Sequence, residues 1–239
     1  KIEYSIQGDP LPIYAALRAL NPSPHMYYLK FGNIKLMGAS PELLFRLRGR
    51  EMETYPLAGT IRRGKNAADD IRMARKLLTD PKEIAEHHML VDLHRNDLGR
   101  VAEFGTVAVR RLMDVKKFSH VQHISSEIAG ILKRDEDMFS GLSYNFPAGT
   151  LTGAPKIETM KIIDSLEKFP RGPYGGAVGH FGFNGDCTFT IPIRSLFISG
   201  DYAYTQNSSG IVYDSIAGRE YKEVKRKGEA MEGVLKLRQ

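Results

Sequence analysis

The sequence predicts an α+β fold built mainly from antiparallel β-sheets, sandwich-like and covered by helices. Segments with helical spacing and segments typical of strands come in blocks and do not alternate one by one, which favours antiparallel over parallel sheets. The last strand-like segments are separated by the turn signals NGD (184–186) and SGD (199–201), which are typical of hairpins. No segment reads as an interdomain linker, so we expect one domain over residues 1–239.

The helices are predicted from apolar periodicity and from residues that start or stop helices. They are expected over residues 12–20, 67–78, 82–100, 155–168 and 218–237. Runs with strand-like composition cover residues 26–31, 34–40, 43–49, 51–57, 106–115 and 119–132, with several antiparallel strands within 176–206. FPAGTLTGAPK (146–156) is expected to form a Gly- and Pro-rich loop that runs into a helix.

Composition excludes several classes of protein. The chain is 42% hydrophobic and 26% charged, as expected for a globular protein with a sizeable core. No apolar run is long enough to span a bilayer, and the first residues lack the features of a signal peptide. Cys187 is the only cysteine, which suits a reducing compartment, and it is interpreted as an ordinary strand residue. We therefore expect a cytoplasmic protein that does not bind membranes.

The net charge of +6 is explained either by solubility alone or by a binding partner, which would be nucleic acid or a small anionic ligand. The longest basic run, KEVKRK (222–227), is interrupted by an acid and contains no aromatic residue. Nucleic-acid binding would favour a basic block with interleaved aromatic residues. We therefore expect no nucleic-acid partner and favour a small anionic substrate.

The predicted helix over residues 82–100 has charged residues where burial is expected. At 100° per residue, one of its faces contains Glu83, Glu86, His87, Leu90, His94 and Asp97. Buried charges are costly unless they are paired or bind a metal. For Glu83 the alternative is a capping box, with Asp80 at the N-cap and Pro81 at the first helical position. Glu86 has no comparable structural explanation.

The last predicted helix repeats the Glu-x-x-Glu spacing with Glu220 and Glu223, and Lys227 follows Glu223 by four residues. A surface Glu–Lys pair, worth about 0.3–0.5 kcal/mol, is the alternative interpretation of these residues. Carboxylate oxygens suit Mg²⁺, which takes one or two carboxylates together with water and substrate oxygens. The sequence contains no HExxH pattern, so a zinc site is disfavoured.

Two loops and one arginine are suited to holding anions. GTLTGAPK (149–156) places amides and hydroxyls before a helix, and QNSSG (206–210) precedes another. Arg194 is the only cation in the apolar segment TIPIRSLF (190–197). Together with the glutamate pairs, these features predict a small carboxylate ligand held partly by Mg²⁺ and partly by cations and amides.

Eight motifs in order give the sequence a family resemblance. They are GASPELL (38–44), YPLAGTIRRG (55–64), KEIAEHHMLVDLHRNDLGR (82–100), FSHVQHISS (118–126), FPAGTLTGAPK (146–156), RGPYGGAVG (171–179), TIPIRSLF (190–197) and GIVYDS…EYKEVKRK (210–227). This set resembles the chorismate-utilising enzymes. Within that family it is most similar to the large, component I subunits that make anthranilate. The resemblance implies a chorismate-binding catalytic domain.

The resemblance implies a lyase reaction of tryptophan biosynthesis. Ammonia adds at C2 of chorismate while the C4 hydroxyl leaves, and elimination of pyruvate then gives anthranilate. Glu86 and Glu223 match the family's Mg²⁺ ligands, and Glu83 and Glu220 match carboxylates that hold metal-bound water. Glu42 matches the proposed general acid for the leaving hydroxyl.

The resemblance assigns the remaining site residues to the substrate. His123 matches the active-site histidine near the leaving oxygen. Tyr174, Arg194 and the backbone at Gly210 match groups that hold the enolpyruvyl carboxylate. Gly59, Thr60, Thr150 and Lys227 match other substrate and metal-shell positions. Many relatives have QAGAG where this chain has QNSSG, so Ser208 and Ser209 are expected to offer amides in a narrower space.

Other reactions of the family remain alternatives. Aminodeoxychorismate synthases typically have a lysine, proposed as a nucleophile, where this chain has Ala58, which disfavours that activity. Isochorismate and salicylate synthases need a lysine from a strand that we do not find in this sequence. A catalytically incomplete fragment that only binds chorismate is the alternative from a different class.

The resemblance also predicts partners and missing parts. Cys187 lacks the setting of a glutaminase nucleophile, so a separate glutamine amidotransferase subunit is expected to supply ammonia in a hetero-oligomer. The family's N-terminal region, which provides half of the tryptophan feedback pocket, is expected to be absent. NPSPHM (21–26) matches the other half, so tryptophan is a candidate inhibitor.

Overall fold

The computed structural model describes residues 1–118 and 121–236 of the chain. In these residues the strands are β1 (Ile2–Ser5), β2 (His25–Phe31), β3 (Ile34–Ser40), β4 (Leu43–Arg48), β5 (Glu51–Thr54), β6 (Leu57–Arg62), β7 (Ala108–Lys117), β8 (Val121–Ile131), β9 (Val178–Phe181), β10 (Cys187–Thr190), β11 (Ser195–Ser199) and β12 (Tyr202–Thr205). The helices are α1 (Leu11–Leu20), α2 (Ala67–Leu78), α3 (Pro81–Val101), α4 (Met138–Asn145), α5 (Gly149–Thr152), α6 (Lys156–Leu166) and α7 (Ala217–Lys236). None of the described helices has both the length and the apolar composition that a membrane span requires.

The chain divides into two compact units. The terminal unit consists of Lys1–Pro41, Arg171–Gly175 and the described part of Ile191–Gln239. The central unit consists of Glu42–Pro170 and Gly176–Thr190. Each unit contains its own antiparallel sheet, so the predicted α+β class with mainly antiparallel sheets is confirmed.

The terminal unit is a sheet packed against two helices. Its strand order is β1-β12-β11-β3-β2, with antiparallel pairing between neighbours. Leu17 of α1 and Val234 of α7 belong to the same buried cluster as Met37 and Leu196 of the sheet. In α1 the buried residues Ile13 and Leu17 are four positions apart, which places both on one face of the helix.

The central unit is organised around β8 and α3. β5 and β6 pair with successive halves of β8, and β7 pairs along both halves. The sheet continues from β5 through β4 and β10 to β9. Cys187 lies in β10, as predicted, and burial raises the pKa of its thiol to about 11.

α3 begins and ends as its sequence predicts. The Asp80 carboxylate accepts hydrogen bonds from the N–H groups of Lys82 and Glu83 at 3.0 and 3.5 Å, which satisfies two of the open donors at a helix start. Leu98 and Val101 are completely buried, and each buried side chain of this size stabilises the fold by about 1.5–3 kcal/mol.

The polar residues on the buried side of α3 have distant partners. His94 Nδ1 lies 2.8 Å from the Thr54 hydroxyl, whose own proton goes to the Leu44 carbonyl at 2.9 Å. His94 therefore donates from Nδ1. His87 Nε2 lies 2.6 Å from the Ser126 hydroxyl. Further along α3, the Lys156 ammonium donates to Asp97 at 2.7 Å.

Most predicted elements are confirmed, and a few were missed. The helices expected over residues 12–20, 67–78, 82–100, 155–168 and 218–237 correspond to α1, α2, α3, α6 and α7. The predicted first residues of the 119–132 strand and last residue of the 218–237 helix lie outside the described residues, as do two residues of the FSHVQHISS motif. The expected loop over residues 146–156 contains the one-turn helix α5, so that prediction was wrong in part.

Three further elements, β1, β6 and α4, were not predicted. In β6 the pairing register with β8 shifts between Ala58 and Ile61, and this shift breaks the period-two pattern that marks a strand. α4 is short, and it starts at an Asp137–Ser140 capping box. Short elements of this kind have little periodicity to detect.

We expect the buried Lys156–Asp97 pair to contribute strongly to stability. Both side chains are at most 17% exposed, and Lys156→Met would leave the Asp97 charge buried without its cation, at a cost of about 3 kcal/mol. The measurement is the urea midpoint of unfolding. Lys161→Met is the matched control on α6, because Lys161 pairs with Glu158 in solvent and its loss should change little. Equal midpoints for both variants would contradict the assignment.

We expect acid to weaken the fold through His94. Burial, together with Lys156 and His87, lowers the pKa of His94 from 6.5 to about 3. The unfolded chain then binds more protons than the folded one between these values, so His94 reduces stability as pH falls from about 6.5 towards 3. His94→Gln should flatten the fall of the urea midpoint over this range, relative to the midpoint at pH 8. A variant with the same pH slope as wild type would show that another group is responsible.

Candidate active site

Four predicted site residues meet in the central unit, and we call them the His123 cluster: Gly59, Thr60, Glu83 and His123. His123 on β8 lies opposite β6, where the register shift opens the backbone at Gly59 and Thr60. His123 Nδ1 is 2.7 Å from the Gly59 carbonyl oxygen and 3.2 Å from the Thr60 hydroxyl. The imidazole is therefore fixed by the irregular part of β6.

The contact with Gly59 settles which ring nitrogen of His123 carries a proton. A carbonyl oxygen only accepts hydrogen bonds, so Nδ1 must be the donor. In the neutral ring the lone pair is then on Nε2, and that atom can accept or return a proton. The ring of Phe118 packs against the imidazole edge to face at 5.4 Å and keeps its plane in place.

Glu83 lies against Gly59, and a larger residue at position 59 would clash with its carboxylate. The backbone of Gly59 has φ +66°, and a Cβ there would stand 2.9 Å from Glu83 Oε2 and 3.0 Å from Leu77. The capping of α3 uses the backbone N–H of Glu83. The carboxylate of Glu83 therefore belongs to the His123 cluster as well as to the first turn of α3.

The other predicted residues of the central unit differ in burial. Glu86 is half-buried one turn along α3, and Glu42 is 4% exposed with its carbonyl accepting from the Thr190 hydroxyl at 2.6 Å. Thr150 lies on α5, and within the described residues its buried hydroxyl oxygen has no hydrogen-bond partner. Buried hydroxyls normally have a hydrogen-bond partner, and a bound ligand would provide one for Thr150.

Ser208 connects three predicted residues of the terminal unit. Its hydroxyl is 2.7 Å from the Tyr174 hydroxyl, and its carbonyl accepts from the Lys227 ammonium at 3.0 Å. Lys227 also pairs with Glu223 at 2.7 Å. The sequence indicated only the amides of QNSSG as binding groups. The hydroxyl and carbonyl of Ser208 were missed, because their partners are far away in sequence.

The remaining predicted residues also belong to the terminal unit. Glu220 is in the first turn of α7 and is 5% exposed, whereas Gly210 is exposed and Ser209 is half-buried. Arg194 is half-buried just before β11 and has a left-handed backbone with φ +51°. The predicted site residues are thus divided evenly between the two units.

The carboxylates fit the metal that the sequence predicts. Glu83 and Glu86 are three positions apart on α3, as Glu220 and Glu223 are on α7, and this spacing places each pair on one helix face. Among the described residues, no group of three or more His, Cys, Asp or Glu side chains is suited to hold a metal ion. Mg²⁺ typically takes one or two carboxylates and completes its shell with water and substrate oxygens, so each pair offers ligands of the kind that this ion takes.

Several known proteins are similar to this chain over almost its whole length. The chain is 61% identical over 236 residues to the anthranilate synthase component 1 of Leptospira biflexa, covering 98% of this chain and 51% of that protein. It is 46% identical over 233 residues to the aminodeoxychorismate synthase component 1 of Bacillus subtilis strain 168, covering 98% and 50%. The crystal structure of anthranilate synthase component I from Streptococcus pneumoniae TIGR4 superposes with a TM-score of 0.88 at 40% identity, covering 96% and 51%.

The chain thus spans about half the length of these relatives. A family model described as chorismate binding enzyme matches residues 1–233, which belong to both units. Since this match extends over almost all of the 239 residues, the chain belongs to the chorismate binding enzymes.

Proposed function

We propose that this chain is the catalytic part of a component I anthranilate synthase. The reaction joins chorismate and ammonia and releases anthranilate, pyruvate and water, which makes the enzyme a lyase. The observation that carries the proposal is the 61% identity to a protein of that name over 98% of this chain. We further propose that both units act as one catalytic domain, because the family model extends across both.

Two residues of the central unit are proposed to handle protons. Glu42 is held away from bulk water and is assigned as the acid that protonates the C4 hydroxyl, because hydroxide is a poor leaving group unless protonated. His123 Nε2 is assigned to the same oxygen. Its Nδ1 proton is held by Gly59, and this bond keeps Nε2 as the atom that exchanges a proton.

The carboxylates of chorismate are proposed to bind to cations, hydroxyls and amides. In the terminal unit, Tyr174, Arg194 and the amides of Ser209 and Gly210 are assigned to the enolpyruvyl carboxylate. The contact with Ser208 orients the Tyr174 hydroxyl, and Lys227 is held by Ser208 and Glu223. Gly59, Thr60, Thr150 and Lys227 are assigned to other positions that contact the substrate or surround the metal.

Mg²⁺ is the proposed cofactor, with Glu86 and Glu223 as ligands and Glu83 and Glu220 holding its water molecules. When bound, the ion would neutralise and orient the ring carboxylate of chorismate. Both Glu83 and Glu86 are half-buried, and Glu83 contacts Gly59 of the His123 cluster, which supports this assignment.

A glutamine amidotransferase subunit is the proposed source of ammonia. Cys187 is buried in β10, and burial raises the pKa of its thiol to about 11, so it is a poor nucleophile at neutral pH. Free ammonia should partly replace the partner. Aminodeoxychorismate synthesis is the second candidate, since a protein of that name is 46% identical. The small, buried Ala58 disfavours it, because that activity is associated with a lysine at this position.

Product identity tests the proposal. We expect the chain, given chorismate, Mg²⁺ and ammonium at about pH 8.5, where more of the ammonium is free ammonia, to form anthranilate and pyruvate. Mass spectrometry of the products is the measurement, with EDTA as the control that should abolish formation. Aminodeoxychorismate, isochorismate or salicylate as the main product would assign the chain to another activity of the family. Chorismate binding without any product would support the binding-only alternative.

A further inference from the structure

Arg194 has a backbone conformation that a residue with a side chain rarely adopts. Its φ is +51°, in the left-handed region that costs such residues on the order of 1–3 kcal/mol. A conformation of this kind persists only where surrounding bonds hold it. The groups that hold this backbone conformation therefore determine the position from which the Arg194 side chain extends.

Three hydrogen bonds hold the turn around Arg194. The Ala39 N–H donates to the Arg194 carbonyl at 3.2 Å, and the Ile193 N–H donates to the Ile191 carbonyl at 2.8 Å. The Ser195 hydroxyl donates to the Ile193 carbonyl at 2.8 Å. The last bond closes the turn across Arg194, and it comes from a side chain that is 1% exposed.

Tyr27 contacts the Ser195 hydroxyl from β2, across the middle strand β3. The two hydroxyl oxygens are 2.5 Å apart. Since Ser195 gives its only proton to the Ile193 carbonyl, Tyr27 is the donor in this pair. Burial raises the pKa of the Tyr27 hydroxyl, so it stays protonated and able to donate. The orientation of the Ser195 hydroxyl is therefore determined by Tyr27.

Gly38 makes this contact possible. It pairs with Tyr27 on one side and with Ser195 on the other, so the three residues form one row across β2, β3 and β11. A Cβ on Gly38 would stand 2.4 Å from both the Tyr27 and the Ser195 hydroxyl oxygens. Only glycine leaves the space in which the tyrosine reaches over the middle strand.

We propose that Tyr27 is a positioning residue for substrate binding, which acts through Ser195 to hold the left-handed turn that presents Arg194 to a substrate carboxylate. The inference rests on the proposed function, because it takes Arg194 to bind chorismate. Arginine binds a carboxylate well only in a defined geometry, so a small rotation of this turn should weaken the contact.

The test measures the dissociation constant of chorismate in the presence of Mg²⁺ by calorimetry. Tyr27→Phe should raise it about tenfold, the equivalent of about 1.4 kcal/mol, and Ser195→Ala should raise it similarly. Tyr28→Phe is the matched control. Tyr28 is the next residue of β2, with its ring against Tyr14, and its substitution should leave the constant unchanged.

A double-mutant cycle separates positioning from general destabilisation. In an Arg194→Gln background, Tyr27→Phe should have almost no further effect on chorismate binding, although any loss of stability would persist. An unchanged dissociation constant for Tyr27→Phe, or an equal loss with and without Arg194, would overturn the inference. If wild type itself does not bind chorismate, the proposed function fails and this inference fails with it.

Discussion

The structure of the central unit depends on the burial of α3. A helix of this length contributes a large apolar face, but its inner side also contains His87, His94 and Asp97. Each of these makes a hydrogen bond or an ion pair with a group from elsewhere in the unit: Ser126, Thr54 and Lys156. Leaving these groups without those partners would cost about 1–3 kcal/mol each, so the packing of α3 depends on contacts with the sheet and with α6.

The same requirement explains how the candidate site is positioned. On the inner side of α3, His87, His94 and Asp97 are buried and contact groups from elsewhere in the unit. In its first two turns, Glu83 and Glu86 are only half-buried, and Glu83 contacts the backbone of Gly59 beside His123. The buried part of the helix thus anchors the part that presents carboxylates. In the terminal unit, the contacts Tyr174–Ser208 and Lys227–Glu223 orient two of the groups that are proposed to bind the substrate.

Periodicity and helix-end residues in the sequence were enough to predict α1, α2, α3, α6, α7 and most strands, because these signals are local. The contacts that organise the site are not local. Thr54 and His94 are distant in sequence, and the contact of Tyr27 with Ser195 depends on the register of three strands. β6 was missed because its register shift at Gly59 and Thr60, the feature that builds the His123 cluster, also removes the alternation by which strands are recognised.

The central claim is that the first turns of α3 bind Mg²⁺ together with chorismate. The most direct measurement is calorimetric binding of chorismate to wild type, Glu86→Gln and Asp92→Asn, each with Mg²⁺ and with EDTA. Asp92 lies on the exposed side of α3 and pairs with Arg95, so its variant should bind chorismate as wild type does and only with Mg²⁺. Glu86→Gln should lose the Mg²⁺-dependent binding while its unfolding midpoint changes little. Wild-type-like, Mg²⁺-dependent binding by Glu86→Gln would contradict the account.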